Sequence, residues 1–171
     1  MENSLFTKKV SFILLVTGLF SSIVGLIPSN NLVFADVFTG DDNDNLLVGT
    51  PEDDAFDSKG GDDANVGDKL SGDSFGNDAI VSGEGDDFNL GDSLLGDGFG
   101  NDVLVSGEGD DTNAGESAIN VGSGNDIMVG GNGDDLFAGA DGKDIFVCGF
   151  GTDRIIDFNP SEDIQSECEI F

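Results

Sequence analysis

One 24-residue unit occurs three times between residues 58 and 129: SKGGDDANVGDKLSGDSFGNDAIV, SGEGDDFNLGDSLLGDGFGNDVLV and SGEGDDTNAGESAINVGSGNDIMV. Each unit divides into nine, six and nine residues, and both nonapeptides place Gly, then Asp or Asn, then Asp at the same offsets. A fixed period constrains a chain more than residue propensities do. Every unit must adopt the same local structure and bury its apolar positions on its neighbours, which makes a solenoid.

The nonapeptide frame runs through 40–48, 49–57, 58–66, 73–81, 82–90, 97–105, 106–114, 121–129, 130–138 and 139–147, interrupted by the inserts GDKLSG, GDSLLG and GESAIN. Each nonapeptide predicts a six-residue loop followed by a three-residue strand, with two nonapeptides completing one turn of a flattened coil. Loops then stack on two sides. One side, here the regular side, collects 40–45, 58–63, 82–87, 106–111 and 130–135; the other, the insert side, collects 49–54, 73–78, 97–102, 121–126 and 139–144. The expected fold is all-β, a parallel β-roll over residues 36–147, with residues 148–171 breaking the period as a short C-terminal cap that solenoids need for solubility.

Alternation along each strand sends the eighth residue of a nonapeptide inward. On one sheet that row is Phe56, Ile80, Leu104, Met128 and Phe146, stacked at about 4.8 Å per turn. The facing row is Leu47, Asn65, Asn89, Asn113 and Phe137. Two readings of the asparagines stand. Either they form a buried amide ladder, or that strand flips and puts Ala64/Val66, Phe88/Leu90 and Thr112/Ala114 inside.

The chain carries 35 acidic against 6 basic residues, a net charge of −29, and has no Trp, Tyr or His. Nucleic acid and anionic membrane are excluded as partners, because both demand a basic face. Residues 1–35 read as a targeting segment: Lys8 and Lys9, an apolar stretch from Val10 to Ile27, Pro28, then Val33-Phe34-Ala35 as a cleavage site. Retained, the same segment would be a membrane anchor. Either way the remainder is expected outside the cytoplasm, secreted or held at the cell surface. Removing it takes away one acidic and two basic residues, leaving a net charge of −30. So charged and glycine-rich a chain is expected to stay disordered until counter-ions are supplied.

The loops hold the chemistry. Calcium takes six to eight oxygen ligands, many of them backbone carbonyls, in irregular geometry. Glycines let a loop direct its carbonyls inward, here Gly61, Gly85, Gly109 and Gly133 on the regular side and Gly76, Gly100, Gly124 and Gly142 on the other. The sixth-position aspartates can lie between successive loops: Asp63, Asp87, Asp111 and Asp135 on the regular side, with Asn45 in the first loop, and Asp54, Asp78, Asp102, Asp126 and Asp144 on the insert side. Ions shared between adjacent loops give about eight calcium sites at most. Other metals fit poorly, since there is no His, the two thiols are isolated, and magnesium dehydrates reluctantly.

Residues 40–147 resemble the repeats-in-toxin (RTX), or haemolysin-type, calcium-binding family, and GFGTDRIIDFNPSEDI resembles the segment that follows such repeats. The resemblance implies a right-handed parallel β-roll that folds on binding calcium outside the cell, its ligands being the sixth-position aspartates. Three features depart from the family: Asn43, Glu52 and Lys59 stand where a loop glycine is expected, the asparagine row replaces an apolar one, and an N-terminal leader replaces the usual C-terminal export signal.

Cys148 and Cys168, both in the tail, would form a bridge in an oxidising compartment, contributing roughly 3 kcal/mol, or else remain two inert thiols. No catalytic role is expected: without His there is no triad or HExxH site, and no GxSxG is present. Catalytic relatives in the family carry a separate domain for which there is no room here. The expected function is a secreted calcium-dependent structural or interaction module; the alternative is a cell-surface adhesin or acidic matrix protein using the same sites. Val81, Val103, Val105, Ile127 and Val129, on the expected outer face, would either mark a partner or self-association surface or be covered by the inserts.

Overall fold

The computed structural model describes residues 36–116 and 122–168. The leader expected at 1–35 lies outside them, as do residues 117–121, the end of the third insert and the first residue of the next nonapeptide, and the last three residues.

All strand pairings among the described residues are parallel. One sheet stacks Val37–Thr39, Ala55–Gly60, Ala79–Glu84, Val103–Val105, Ile127–Asn132, Ile145–Phe150 and Ile164–Ser166 in sequence order. The facing sheet stacks Leu46–Val48, Ala64–Val66, Phe88–Leu90, Thr112–Ala114, Leu136–Ala138 and Arg154–Ile155. The chain alternates between the two sheets, so the fold is a parallel β-roll. Register follows the repeat: Ala55 pairs with Ala79 and Ala79 with Val103 across insert-bearing turns, whereas Ile127 pairs with Ile145 across an insert-free one.

Two expectations are corrected. Several strands of the first sheet are six residues long and not three, because pairing continues into the start of the regular-side loop, as in Lys59↔Gly83 and Gly131↔Gly149. The period also does not end at residue 147. Residues 148–156 (CGFGTDRII) make one more loop and strand, and Ile164–Ser166 adds a further rung by pairing with Ile145–Val147. The roll therefore extends through the segment expected only to cover it.

The interior row Phe56, Ile80, Leu104, Met128 and Phe146 is buried, joined by Phe137 from the facing sheet. Phe38 stacks on Phe56 with ring centroids 4.8 Å apart, and Phe137 meets Phe146 edge-on at 6.1 Å. Between the apolar ends of the facing row, the three asparagines point inward. Asn65 Nδ2 donates to Asn89 Oδ1 at 2.9 Å, and Asn89 Nδ2 to Asn113 Oδ1 at 3.1 Å. The ladder has a second rail: Ser58, Ser82 and Ser106, buried opposite, bond the same amides. The ladder stops where its neighbours become apolar. Asn65 Oδ1 and Asn113 Nδ2 find no partner, since the adjacent rungs are Leu47 and Phe137.

The strand need not flip to bury its apolar residues. Val66, Leu90 and Ala114, on the opposite face from the asparagines, form a second buried cluster. Leu90 and Ala114 line an open groove of about 270 Å³ together with Leu94 of the second insert. Of the valines expected on the other sheet's outer face, Val103 is buried, while Val81, Val105 and Val129 are half-buried.

Candidate metal centres in the loops

Each loop side carries an unbroken ladder of sixth-position residues. On the regular side the amides of Asn45, Asp63, Asp87, Asp111 and Asp135 donate in turn to Oδ1 of Asp63, Asp87, Asp111, Asp135 and Asp153, at 2.7–3.0 Å. On the insert side the amides of Asp36, Asp54, Asp78, Asp102, Asp126 and Asp144 donate to Oδ1 of Asp54, Asp78, Asp102, Asp126, Asp144 and Asp163, at 2.7–3.1 Å. Every carboxylate thus reaches back to the preceding turn, which holds it between two loops.

That bond uses one oxygen and orphans the other. Oδ2 of Asp63, Asp78, Asp87, Asp102, Asp111, Asp126, Asp135, Asp144 and Asp153 is buried without a hydrogen-bond partner. A buried carboxylate oxygen with no donor is costly, and a cation is the partner that such a row fits. Asp54 is the exception: its Oδ2 accepts from the amide and hydroxyl of Thr50, at 2.6 and 3.0 Å. Asn45 is likewise engaged locally, accepting from the amide of Asp41 at 2.7 Å. The first turn therefore satisfies its own ligand positions.

The fourth-position glycines are stacked as well. A methyl group on Gly85, Gly109 or Gly133 would collide with the carbonyl oxygen of Gly61, Gly85 or Gly109, and all three have φ between +129° and +138°, closed to ordinary side chains. Gly76, Gly100, Gly124 and Gly142 repeat the stack on the insert side. At the second position, non-glycine residues take the left-handed conformation twice: Lys59 sits at φ +82°, its ammonium bonding the carbonyl of Gly40, and Ala140 at φ +61°.

Burial is the leading cause of the electrostatic load, and neighbouring carboxylates add to it. Asp78 is pushed up to about 9, with Asp68, Asp54 and Asp92 nearby. Asp102 and Asp126 are driven well above the usual range. On the regular side burial raises Asp63 and Asp87, takes Asp111 to about 6 and Asp135 to about 7; Asp144 also reaches about 7. Among the described residues no three acidic or thiol side chains converge on one point, so any cation held here completes its shell from backbone carbonyls.

Three groups escaped the sequence reading. Asp153 occupies the sixth place of CGFGTD, where Gly149, Gly151 and Asp153 keep the spacing although Cys148 opens the loop. Fifth-position residues form their own ladders: Asp44, Asp62, Asp86, Asp110 and Asp134 on the regular side, and Asp53, Asn77, Asn101 and Asn125 on the other. Finally, the second residue of every insert is acidic, and Asp68, Asp92 and Glu116 are all buried. The signal for these was the recurrence of Gly-Asp or Gly-Glu at each insert's start. Cys148 and Cys168 form a disulfide, Cα atoms 5.1 Å apart.

A family profile for the RTX calcium-binding nonapeptide repeat matches in four copies, over residues 68–88, 90–112 and 120–155. The matched tract begins after the turns that hold Asn43, Glu52 and Lys59 in glycine places, and it reaches past residue 147 as the ladders do. No curated protein and no solved structure matches the chain. RTX repeats bind calcium in general, form β-rolls, and are a structural module, not a catalytic one; proteins that carry them are typically secreted or extracellular. By these matches and by its parallel β-roll, the chain carries RTX calcium-binding nonapeptide repeats over residues 68–88, 90–112 and 120–155.

Proposed function

We propose that the chain is a secreted structural or interaction module whose β-roll condenses when calcium enters between stacked loops. The observation that carries this reading is the double row of buried Oδ2 atoms that lack any donor. Asp63, Asp87, Asp111, Asp135 and Asp153 would hold ions on the regular side; Asp78, Asp102, Asp126 and Asp144 would do so on the insert side, with glycine carbonyls completing the shells. Calcium supplies the positive charge that lets these carboxylates be buried ionised. In its absence the chain's own repulsion favours the open state, so binding is folding. Residues 1–35, with Lys8 and Lys9 ahead of an apolar stretch, would serve as the leader that takes the chain out of the cell, where calcium is abundant, or as its anchor if retained.

Circular dichroism of the chain with calcium and with excess chelator tests this directly. A strand signal that appears with calcium and disappears on chelation is expected; an unchanged signal overturns the reading.

A second reading, attachment to a surface or matrix partner, has one observation in its favour. The inserts expose Leu70 and Leu95, and the loops that follow them expose a stacked pair, Phe75 and Phe99, with centroids 5.6 Å apart. An apolar ridge of this kind suits a binding surface.

A further inference from the structure

Asp68, Asp92 and Glu116 are chemically out of place as mere loop residues. All three are 0–2 % exposed. Neither oxygen of Asp68 or of Glu116 makes a well-formed hydrogen bond; the Ser74 hydroxyl and the Asp92 carboxyl are the polar groups beside Asp68. Asp92 has only the amide of Gly100 at 3.2 Å and the hydroxyl of Ser74 at 3.5 Å. They recur once per insert; the first two inserts are bridged at Ser71↔Leu95, and the Asp92 amide donates to the Gly115 carbonyl of the third at 3.0 Å, so the three carboxylates form a column parallel to the sixth-position column. The Asp68 and Asp92 carboxylates approach one another along it.

The column is aimed at a repeated cradle. A methyl carbon on Gly124 would strike the Gly100 carbonyl oxygen and stand 2.8 Å from both Asp126 Oδ1 and Glu116 Oε1. One turn earlier, a methyl carbon on Gly100 would strike the Gly76 carbonyl oxygen and stand 2.9 Å from Asp102 Oδ1 and 3.2 Å from Asp92 Oδ1. One turn earlier still, Gly76 offers the Glu52 carbonyl oxygen at 2.9 Å and Asp68 Oδ1 at 3.2 Å. In each case glycine leaves a space bordered by a backbone carbonyl and an insert carboxylate, and at Gly100 and Gly124 also by the sixth-position aspartate. Nothing on the regular side corresponds, because its loops lack the residue.

We propose that Asp68, Asp92 and Glu116 are additional ligands for divalent cations, so that the insert-bearing turns hold calcium more tightly than the regular side. The inserts are then affinity-raising elements within the roll. This rests on the calcium reading above and deepens it. Ligand charge count sets calcium affinity in oxygen sites, and one more carboxylate per ion, in a buried position, raises it about tenfold or more.

Calcium titration calorimetry on three forms of the full chain tests the proposal. The unaltered chain is expected to show a tight and a weak class of sites. Asp68→Asn/Asp92→Asn/Glu116→Gln should lose the tight class, its affinity falling about tenfold. Asp62→Asn/Asp86→Asn/Asp110→Asn removes the same formal charge from the exposed regular-side ladder and should change the tight class by less than about threefold. Equal affinities in the insert variant, or equal effects in both variants, overturn the proposal. No calcium binding by the unaltered chain overturns the calcium reading instead. Should the triple insert variant fail to regain strand signal in saturating calcium, Glu116→Gln alone serves: one ion fewer in the tight class supports the proposal, and an unchanged class overturns it.

Discussion

The two sides of the roll are built from the same nonapeptide and carry their acidic groups at different depths. The regular side puts its second carboxylate row at the fifth position, where Asp62, Asp86, Asp110 and Asp134 face solvent. The insert side has uncharged Asn77, Asn101 and Asn125 in that row and places its extra acids inside, at Asp68, Asp92 and Glu116. Charge in water is screened, whereas charge in the interior is not. Burial accordingly lifts Glu116 to about 10 and Asp78 to about 9 on the insert side, where Asp92 and Asp144 reach about 7, against about 6 for Asp111 and about 7 for Asp135 on the regular side. Depth, more than the number of acidic residues, decides how far each side depends on a cation.

The largest test of this comparison exchanges charge within each side's central rungs. Asp102→Asn with Asp126→Asn should raise the calcium concentration at the folding midpoint by about tenfold or more, while Asp87→Asn with Asp111→Asn should raise it a few-fold. In chelator the order inverts: the insert-side pair retains more strand signal than the unaltered chain, having lost two buried charges. Equal shifts from the two pairs, followed by circular dichroism, would erase the distinction between sides.

A pH titration without calcium sharpens it. Each of these carboxyls has a folded-state pKa above the ordinary value of about 3.9, so the folded state binds more protons than the unfolded one. Their contribution to stability is fully present below about pH 4 and is lost as pH rises through the folded values. The metal-free chain should therefore be most ordered in acid. Order should fall first between about 6 and 7, where Asp111 and Asp135 ionise together with Asp92 and Asp144, and again toward 9 and 10, where Asp78 and Glu116 of the insert side do. Calcium should abolish both steps, and a single early loss would contradict the difference in depth.

The smallest expected effect lies between the sides. Asn89→Ala removes the central rung of the amide ladder and strands Asn65 Nδ2 and Asn113 Oδ1 of their mutual connection through it. A loss of about 1–3 kcal/mol is expected in denaturant unfolding at saturating calcium. It should leave the calcium midpoints of both sides in the same ratio.

The period made the fold legible. A nine-residue repeat fixes which residues stack, so the interior row Phe56 to Phe146 and the sixth-position columns follow from counting. What counting could not settle was the outcome of competition between polar and apolar burial at Asn65, Asn89 and Asn113. The structure resolves it with Ser58, Ser82 and Ser106, whose hydroxyls make the ladder affordable and lie seven residues before their partners. The inserts were opaque for a related reason. They interrupt the frame, and although each opens with Gly-Asp or Gly-Glu, only the structure shows that those acids are buried. The roll's C-terminal limit was missed because Cys148 masks a loop whose Gly149, Gly151 and Asp153 keep the pattern.

The bridge between Cys148 and Cys168 joins residues 20 apart, close to one circuit of the coil. The last circuit is thereby a closed covalent hoop, while the first, at Val37–Thr39, is fastened by non-covalent contacts: strand pairing, the stack of Phe38 on Phe56 and the bond from the Asp36 amide to Asp54. Fraying should begin at the circuit that has no cross-link. When ions are withdrawn, the ribbon should peel from residue 36 inward and arrive last at the hoop.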